Sequence, residues 1–420
     1  MSVSNTNHFH RMLASLFVNL LIHLVVGLLY FNPVDFVLQF EAAKEISRGK
    51  LLYRDIGAIV SEGKILPRPQ YPPLYLYTLA ALIGIVGIEN VTWQGVKIFL
   101  IICNLINGIL LYLLVSKITE NIPQSRTISL LAMNWFLLNP ATLGVVFGGY
   151  HEGFMLIFVL MAFIAILNDN YILGGVGFAC ALLTKPTAGI YMIPLLIWGI
   201  RTRKWQVLWT WAIAGALFLM VSVPFLILTP EQYIEDAFLI HATRPDPSMS
   251  LYTYFFTEIS TTLLPFLIQL TLLAICLMYL VFRSPLISQR WVLEAIVPLM
   301  TIFLMFNRIL YPHYVPFFFA FYSIMLVLRI KKDSETDIAL WSDYTLLGLI
   351  GGLGMVYIGE VWWSLLWSIE TYSKITENPF FAISALVCIL GLGILAISSI
   401  RALIDDPQTK EILPSGVSSI

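Results

Sequence analysis

Apolar positions in this chain run in long unbroken blocks instead of alternating with polar ones. Twelve blocks recur: Met12 to Tyr30, Val96 to Ser116, Ile128 to Phe147, Phe154 to Leu167, Ile172 to Leu183, Ala188 to Ile200, Val207 to Leu228, Thr261 to Phe282, Trp291 to Phe306, Val315 to Leu328, Thr345 to Ile358 and Phe381 to Ser398. A helix of roughly 20 apolar residues crosses the hydrocarbon core of a bilayer. Continuous runs without ten-residue alternation predict helices and not a barrel. The expectation is an all-α polytopic protein of about twelve transmembrane helices, with a partial, juxtamembrane helix at Pro72 to Val86.

Composition agrees. Of 420 residues, 59% are hydrophobic and 12% charged, against about 25% charged in a soluble domain. Mean hydropathy is +0.84. The net charge of -1 and the lack of a basic stripe argue against nucleic acid as a partner. Cys103, Cys180, Cys276 and Cys388 all lie inside apolar runs, without metal-type spacing, and read as packing residues. The first run shows no small-residue cleavage site before Asn32 and reads as a retained anchor.

Charge orients the chain. Arg201 with Arg203 and Lys204, Arg283 with Arg290, Arg329 with Lys331 and Lys332, and Arg401 are separated by even numbers of spans. They share one face, which the positive-inside rule makes cytoplasmic. Arg11 adds a cytoplasmic N-terminus. Residues 32–95 then form a first external loop with juxtamembrane helices, residues 229–260 a second, and residues 401–420 a cytoplasmic tail, all within one integral membrane domain, 1–420. Lys44, Arg48, Lys50, Arg54, Lys64 and Arg68 in the first loop run against the rule. An alternative scheme lets Pro72 to Val86 cross and makes Ile172 to Ile200 one broken span.

On the external face, chemistry-bearing groups gather in five places: Asp35; His151 with Glu152 in NPATLGVVFGGYHEGF; Lys185 in LLTKPTAG; His241, Arg244 and Asp246 in FLIHATRPDPSMSLYTYF; and Arg308, Tyr311 and His313 in NRILYPHY. Charge at bilayer depth is costly and usually functional. Each place has a second reading. Asp35 caps a helix over Phe36 to Arg48, or it is a general base at a membrane face. His151 and Glu152 open a span, where a carboxylate is favoured by the helix dipole, or they bind substrate. Lys185 snorkels or serves a site. The His241 to Asp246 loop is solvated, with a local ion pair, or functional. Arg308 and His313 are interfacial or functional. No Walker loop, dinucleotide fingerprint, His-Glu-x-x-His or Cys-x-x-Cys occurs, so an activated donor would have to be membrane-soluble itself.

The order of these segments resembles the GT-C glycosyltransferases, polytopic enzymes that use polyprenyl-phosphate sugars. The shared features are one span, an external loop with an early acidic residue, and a Tyr71-Pro72-Pro73-Leu74 entry. Asn139-Pro140 leading to a polar pair, and LLTKPTAGIYMIP, come next in the family's order. The finer resemblance is to the catalytic subunit of GPI mannosyltransferase I. Asp35 matches the second acidic position of its first-loop pair; Glu41-Ala42-Ala43, Gly49 and Tyr53-Arg54 fit the rest of that loop. His241, Thr243, Arg244, Asp246, Ser250, Tyr252 and Tyr254 match its most specific motif, and Phe306-Asn307 with His313-Tyr314 its last.

The resemblance implies transfer of a hexose, mannose first, from a polyprenyl- or dolichyl-phosphate sugar to a lipid or glycolipid acceptor at the external face. It implies a cell membrane location, or the endoplasmic reticulum in a eukaryote. Asp35 would be the catalytic base of an inverting single displacement. Arg244, His241 and Lys185 would hold the departing phosphate, with Arg308 or His313 behind them. Tyr71 would line the lipid entry, Tyr252 would bind substrate, and Glu152 or Asp246 would position the acceptor or a divalent cation; no metal is required. The competing class is a transporter or flippase for a glycolipid.

Overall fold

The computed structural model describes residues 3–29, 34–56, 59–61, 64–66, 71–122, 124–239, 248–259, 262–283, 288–308, 310, 314, 316–335, 344–369 and 378–404. Each of the twelve apolar blocks contains helix. The residues group into two compact units, one of Met1–Met192 with Trp205–Ala242 and one of Ile193–Lys204 with Thr243–Ile420.

The first unit begins with α1 (Val3–Gly27) and α2 (Val34–Ser47). A short antiparallel hairpin comes next, β1 (Ile59–Ser61) on β2 (Lys64–Leu66), with Val60 opposite Ile65. Then come α3 (Pro73–Val86), α4 (Trp93–Ile118), α5 (Ser125–Leu137), α6 (Pro140–Gly148), α7 (Glu152–Leu167), α8 (Tyr171–Thr184), α9 (Gly189–Arg201), α10 (Val207–Leu228) and the short α11 (Pro230–Ile234). Helix α9 begins in this unit and ends in the other. Prolines explain the breaks. Pro140 cannot continue α5, and Asn139 caps α6 by accepting from Ala141 N–H, so the expected block from Ile128 to Phe147 is two helices bent by 47°. Pro186 forces Lys185 into extended backbone and separates α8 from α9 by one 3-10 turn.

Within this unit α2 packs on α3, α4 on α1, α5 and α7, and α8 on α7, α10 and α3. Small residues set the closest approaches. A Cβ at Gly175 of α8 would lie 2.8 Å from Ile213 and 2.9 Å from the Thr210 carbonyl of α10, so the two backbones meet as in membrane bundles. The apolar core beneath α2 and α3 includes Phe36, Phe40, Ala43, Leu52, Tyr75, Leu76 and Leu79.

The second unit holds α12 (Leu251–Tyr254), α13 (Leu264–Arg283), α14 (Gln289–Met305), α15 (Pro316–Glu335), α16 (Tyr344–Ile369) and α17 (Pro379–Ile404). Helices α16 and α17 share a glycine seam: a Cβ at Gly352 would lie 2.9 Å from the Gly391 carbonyl.

Among the described residues, six helices are long and apolar enough to span a membrane, or seven counting the bent α5–α6 pair as one span. Four apolar helices are shorter: α3, α7, α8 and residues Phe319–Leu328 of α15. The protein is a polytopic all-α membrane protein. Several of the expected spans stop short of a full crossing length because proline and asparagine turns cut them.

Candidate functional site

Asp35 stands inside the first turn of α2 and not at the cap position that one reading of the sequence gave it. The N-terminal end of a helix favours a carboxylate there. Asp35 is half-buried, and the next residue, Phe36, is buried against the turn at Gly149. That turn demands glycine twice over. Gly149 has φ +67, and a Cβ there would meet the Phe36 ring at 2.4 Å.

The turn delivers His151 and Glu152. Glu152 is the first residue of α7, again a position where the dipole favours an anion. Its Oε1 accepts from Lys185 Nζ at 2.6 Å, with side chains 3% and 5% exposed. The Asp35 carboxylate lies within electrostatic reach of Glu152. Glu152 Oε2 has no hydrogen-bond partner among the described residues. A buried Glu152–Lys185 pair, from α7 and the α8–α9 break, therefore lies in the field of the half-buried Asp35 carboxylate of α2.

Aromatic rings wall this cluster. The His151 imidazole stacks on Tyr75 at 4.7 Å and takes the edge of Tyr71 at 4.5 Å. Lys185 Nζ lies 5.5 Å from the centre of the Tyr71 ring, a cation–π distance. The Tyr71 carbonyl accepts from the Tyr53 hydroxyl. Tyr53 holds a left-handed φ of 68 and packs edge-on against Phe225 and Tyr233. Burial pushes its phenol well above the ordinary value, so it remains a neutral donor.

The start of α3 faces two ways. Tyr71 and Tyr75 turn to His151, while Pro73, Leu74 and Tyr77 line an apolar cavity of about 420 Å³. Leu51 and Leu52, and Pro224, Phe225 and Leu228 of α10, complete its walls, with Arg54 as the charged residue of the lining. Arg54 binds Asp55 at 2.7 and 3.0 Å and, by that hydrogen bond, holds the Asp55 carboxyl below its usual range.

Lys97 was not singled out by the sequence. It is fully buried in the first turns of α4, donates to the Phe147 carbonyl at 2.8 Å and the Leu29 carbonyl at 3.4 Å, and lies 5.8 Å from the Phe36 ring. A cation is at home on the carbonyl ends of α1 and α6. The available signal was a lone lysine four residues after Trp93 in an otherwise apolar run.

Of the residues expected from the sequence, Asp35, Tyr71, His151, Glu152 and Lys185 are brought together. The Tyr71 ring, expected at a lipid entry, lies against His151 and Lys185. Glu152 was expected on an acceptor or divalent cation, and its partner here is Lys185. No three His, Cys, Asp or Glu side chains gather as metal ligands among the described residues. Tyr252 and Arg308 belong to the second unit. There, Met249 N–H donates to the Leu310 carbonyl at 2.8 Å, drawing their two segments together, and both side chains are buried. His241, Arg244, Asp246 and His313 lie outside the described residues.

Compared with known proteins, the chain aligns over 97% of its length with 79% of ArnT from Cupriavidus metallidurans, in a crystal structure bound to undecaprenyl phosphate, with a TM-score of 0.51 and 13% identity. The two share a fold. A second structure of ArnT, in the apo state, aligns over 96% of this chain and 78% of that one, with a TM-score of 0.48 and 15% identity. No family model matches the sequence, and no curated protein matches it.

Proposed function

We propose that the protein is a membrane glycosyltransferase of the GT-C kind, moving a hexose from a polyprenyl-phosphate sugar to a lipid or glycolipid acceptor by one inverting displacement at the external face. The observation that carries the reading is the Asp35–Glu152–Lys185 cluster beside an apolar cavity at the start of α3. The fold shared with ArnT, whose structure contains undecaprenyl phosphate, supports a prenyl-linked donor.

The chemistry divides among named groups. The cavity walls of Leu52, Leu74, Phe225 and Leu228 suit isoprenyl units, which gain from leaving water or lipid headgroups for an apolar wall. The departing phosphate needs positive charge. Lys185 is at hand for it, and Arg244 and His241 are proposed partners from the following loop. Asp35 removes the proton of the acceptor hydroxyl as that oxygen attacks the anomeric carbon. The phosphate leaves from the opposite side, so the configuration inverts. Glu152 holds Lys185 in place. Mannose is the proposed sugar, from the sequence resemblance to GPI mannosyltransferase I, and the N-terminus is proposed to be cytoplasmic.

The test is direct. Purified protein in proteoliposomes is given polyprenyl-phosphate mannose or glucose with a lipid extract, and products are identified by mass. A hexose added to a lipid supports the reading. Movement of a glycolipid across the bilayer with no covalent product supports the flippase class and overturns it.

A further inference from the structure

Gln39 lies one helical turn after Asp35, on the same face of α2. Its side chain is 2% exposed. Among the described residues, neither its amide nitrogen nor its amide oxygen has a hydrogen-bond partner, whereas the neighbouring apolar residues Phe36, Phe40 and Ala43 pack into the core. Leaving both ends of a buried amide unmatched is costly, and such groups are rare in folded proteins. Two further orphaned polar atoms belong to the same region. They are Glu152 Oε2, on the carboxylate that senses Asp35, and the Tyr75 hydroxyl on the ring stacked against His151. Gln39 lies one helical turn from Asp35, and the Tyr75 phenol and the Asp35 carboxylate both lie within electrostatic reach of Glu152.

We infer that Gln39 is a specificity-determining residue that reads adjacent hydroxyl groups of the glycosyl unit at this site. The inference rests on the glycosyl-transfer reading and deepens it. An amide offers an acceptor oxygen and a donor nitrogen side by side, about as far apart as neighbouring hydroxyls on a pyranose ring. One hydroxyl donates to the amide oxygen while the next accepts from the amide N–H, so both ends are matched by one ligand. The Tyr75 hydroxyl and Glu152 Oε2 supply a further donor and a further acceptor for the same polyol. A site whose polar groups are matched only by the substrate rejects an analogue that lacks one hydroxyl, because a buried amide end is then left bare.

The experiment uses the full chain in proteoliposomes, with polyprenyl-phosphate hexose and a panel of its monodeoxy analogues as donors. Gln39→Met keeps the side-chain length and removes both polar ends, and Gln39→Leu replaces it should the first variant fail to fold. Wild-type protein is expected to discriminate against at least one deoxy donor. The variant should lose about tenfold to a hundredfold in kcat/KM with the complete sugar and little with that deoxy donor, so that the discrimination collapses. A uniform loss across the panel, the signature of a structural residue or of one that holds only an internal water, overturns the inference, as does an unchanged profile. If wild-type protein transfers no sugar, the functional reading fails by itself. The inference is then judged on binding of the same panel, where equal affinities of wild type and variant for every member overturn it.

Discussion

The Lys185 ammonium sits 2.6 Å from a Glu152 oxygen, both sealed from solvent, across a sequence gap of 33 residues. The pair joins the break between α8 and α9 to the start of α7. Removing one partner strands the other's charge, so Lys185→Met is expected to destabilise the protein by about 3–5 kcal/mol. The double variant Lys185→Met with Glu152→Leu should recover most of that loss. Thermal unfolding in detergent checks both. Equal stability of wild type and the single variant would show that the pair contributes no net coupling.

The apolar cavity gives a second expectation. Leu74→Trp and Leu228→Trp would each fill part of it. If the cavity takes isoprenyl units, both should raise KM for long-chain donors while leaving kcat and the KM of short-chain donors almost unchanged, since uniform binding is what is lost. Titrating donors of increasing chain length measures this. A loss of kcat alone, independent of chain length, would remove the cavity from the donor path.

Acid sensitivity should appear at the C-terminal end of α2. The hydrogen bond from Lys50, with a further contribution from Arg48, holds the Glu45 carboxyl below its usual value. A carboxyl whose pKa is lower folded than unfolded contributes stability above the unfolded value and loses it as pH falls through the folded one. Wild type should therefore be more stable than Glu45→Gln at neutral pH, and the gap should close at pH below the ordinary glutamate range. The contribution is small because its partners Arg48 and Lys50 are exposed to solvent. Melting curves of both proteins across that range decide it; a gap that persists in acid would contradict the assignment.

Helix placement was written plainly in the sequence, because an apolar run in a chain this poor in charge has no soluble alternative. The break at Lys185-Pro186 was read from the sequence, since proline removes a donor and restricts the residue before it, whereas the same signal at Asn139-Pro140 was passed over inside one expected block from Ile128 to Phe147. The first loop was legible in part. The α2 helix was foreseen over Phe36 to Arg48 and found over Val34–Ser47. The β1–β2 hairpin was not foreseen, because strands of three residues are too short to show a period. Glu152, Lys185 and Asp35 were each singled out, but not that Glu152 and Lys185 pair. Pairing across distant segments leaves no mark in local pattern. The Tyr71–His151–Tyr75 stack was hidden likewise, behind a Tyr-Pro-Pro that reads equally well as a helix entry. Lys97 escaped because one lysine near the start of a span looks like any interfacial anchor.

Asp35 carries the central claim. The decisive measurement is sugar transfer from a polyprenyl-phosphate donor by wild-type protein and by Asp35→Asn, purified side by side and matched for donor binding. The account predicts a product of inverted anomeric configuration from wild type, and a loss of about 10²–10⁴-fold in kcat for the variant with donor affinity retained. An Asp35→Asn protein that transfers sugar at the wild-type rate would contradict it.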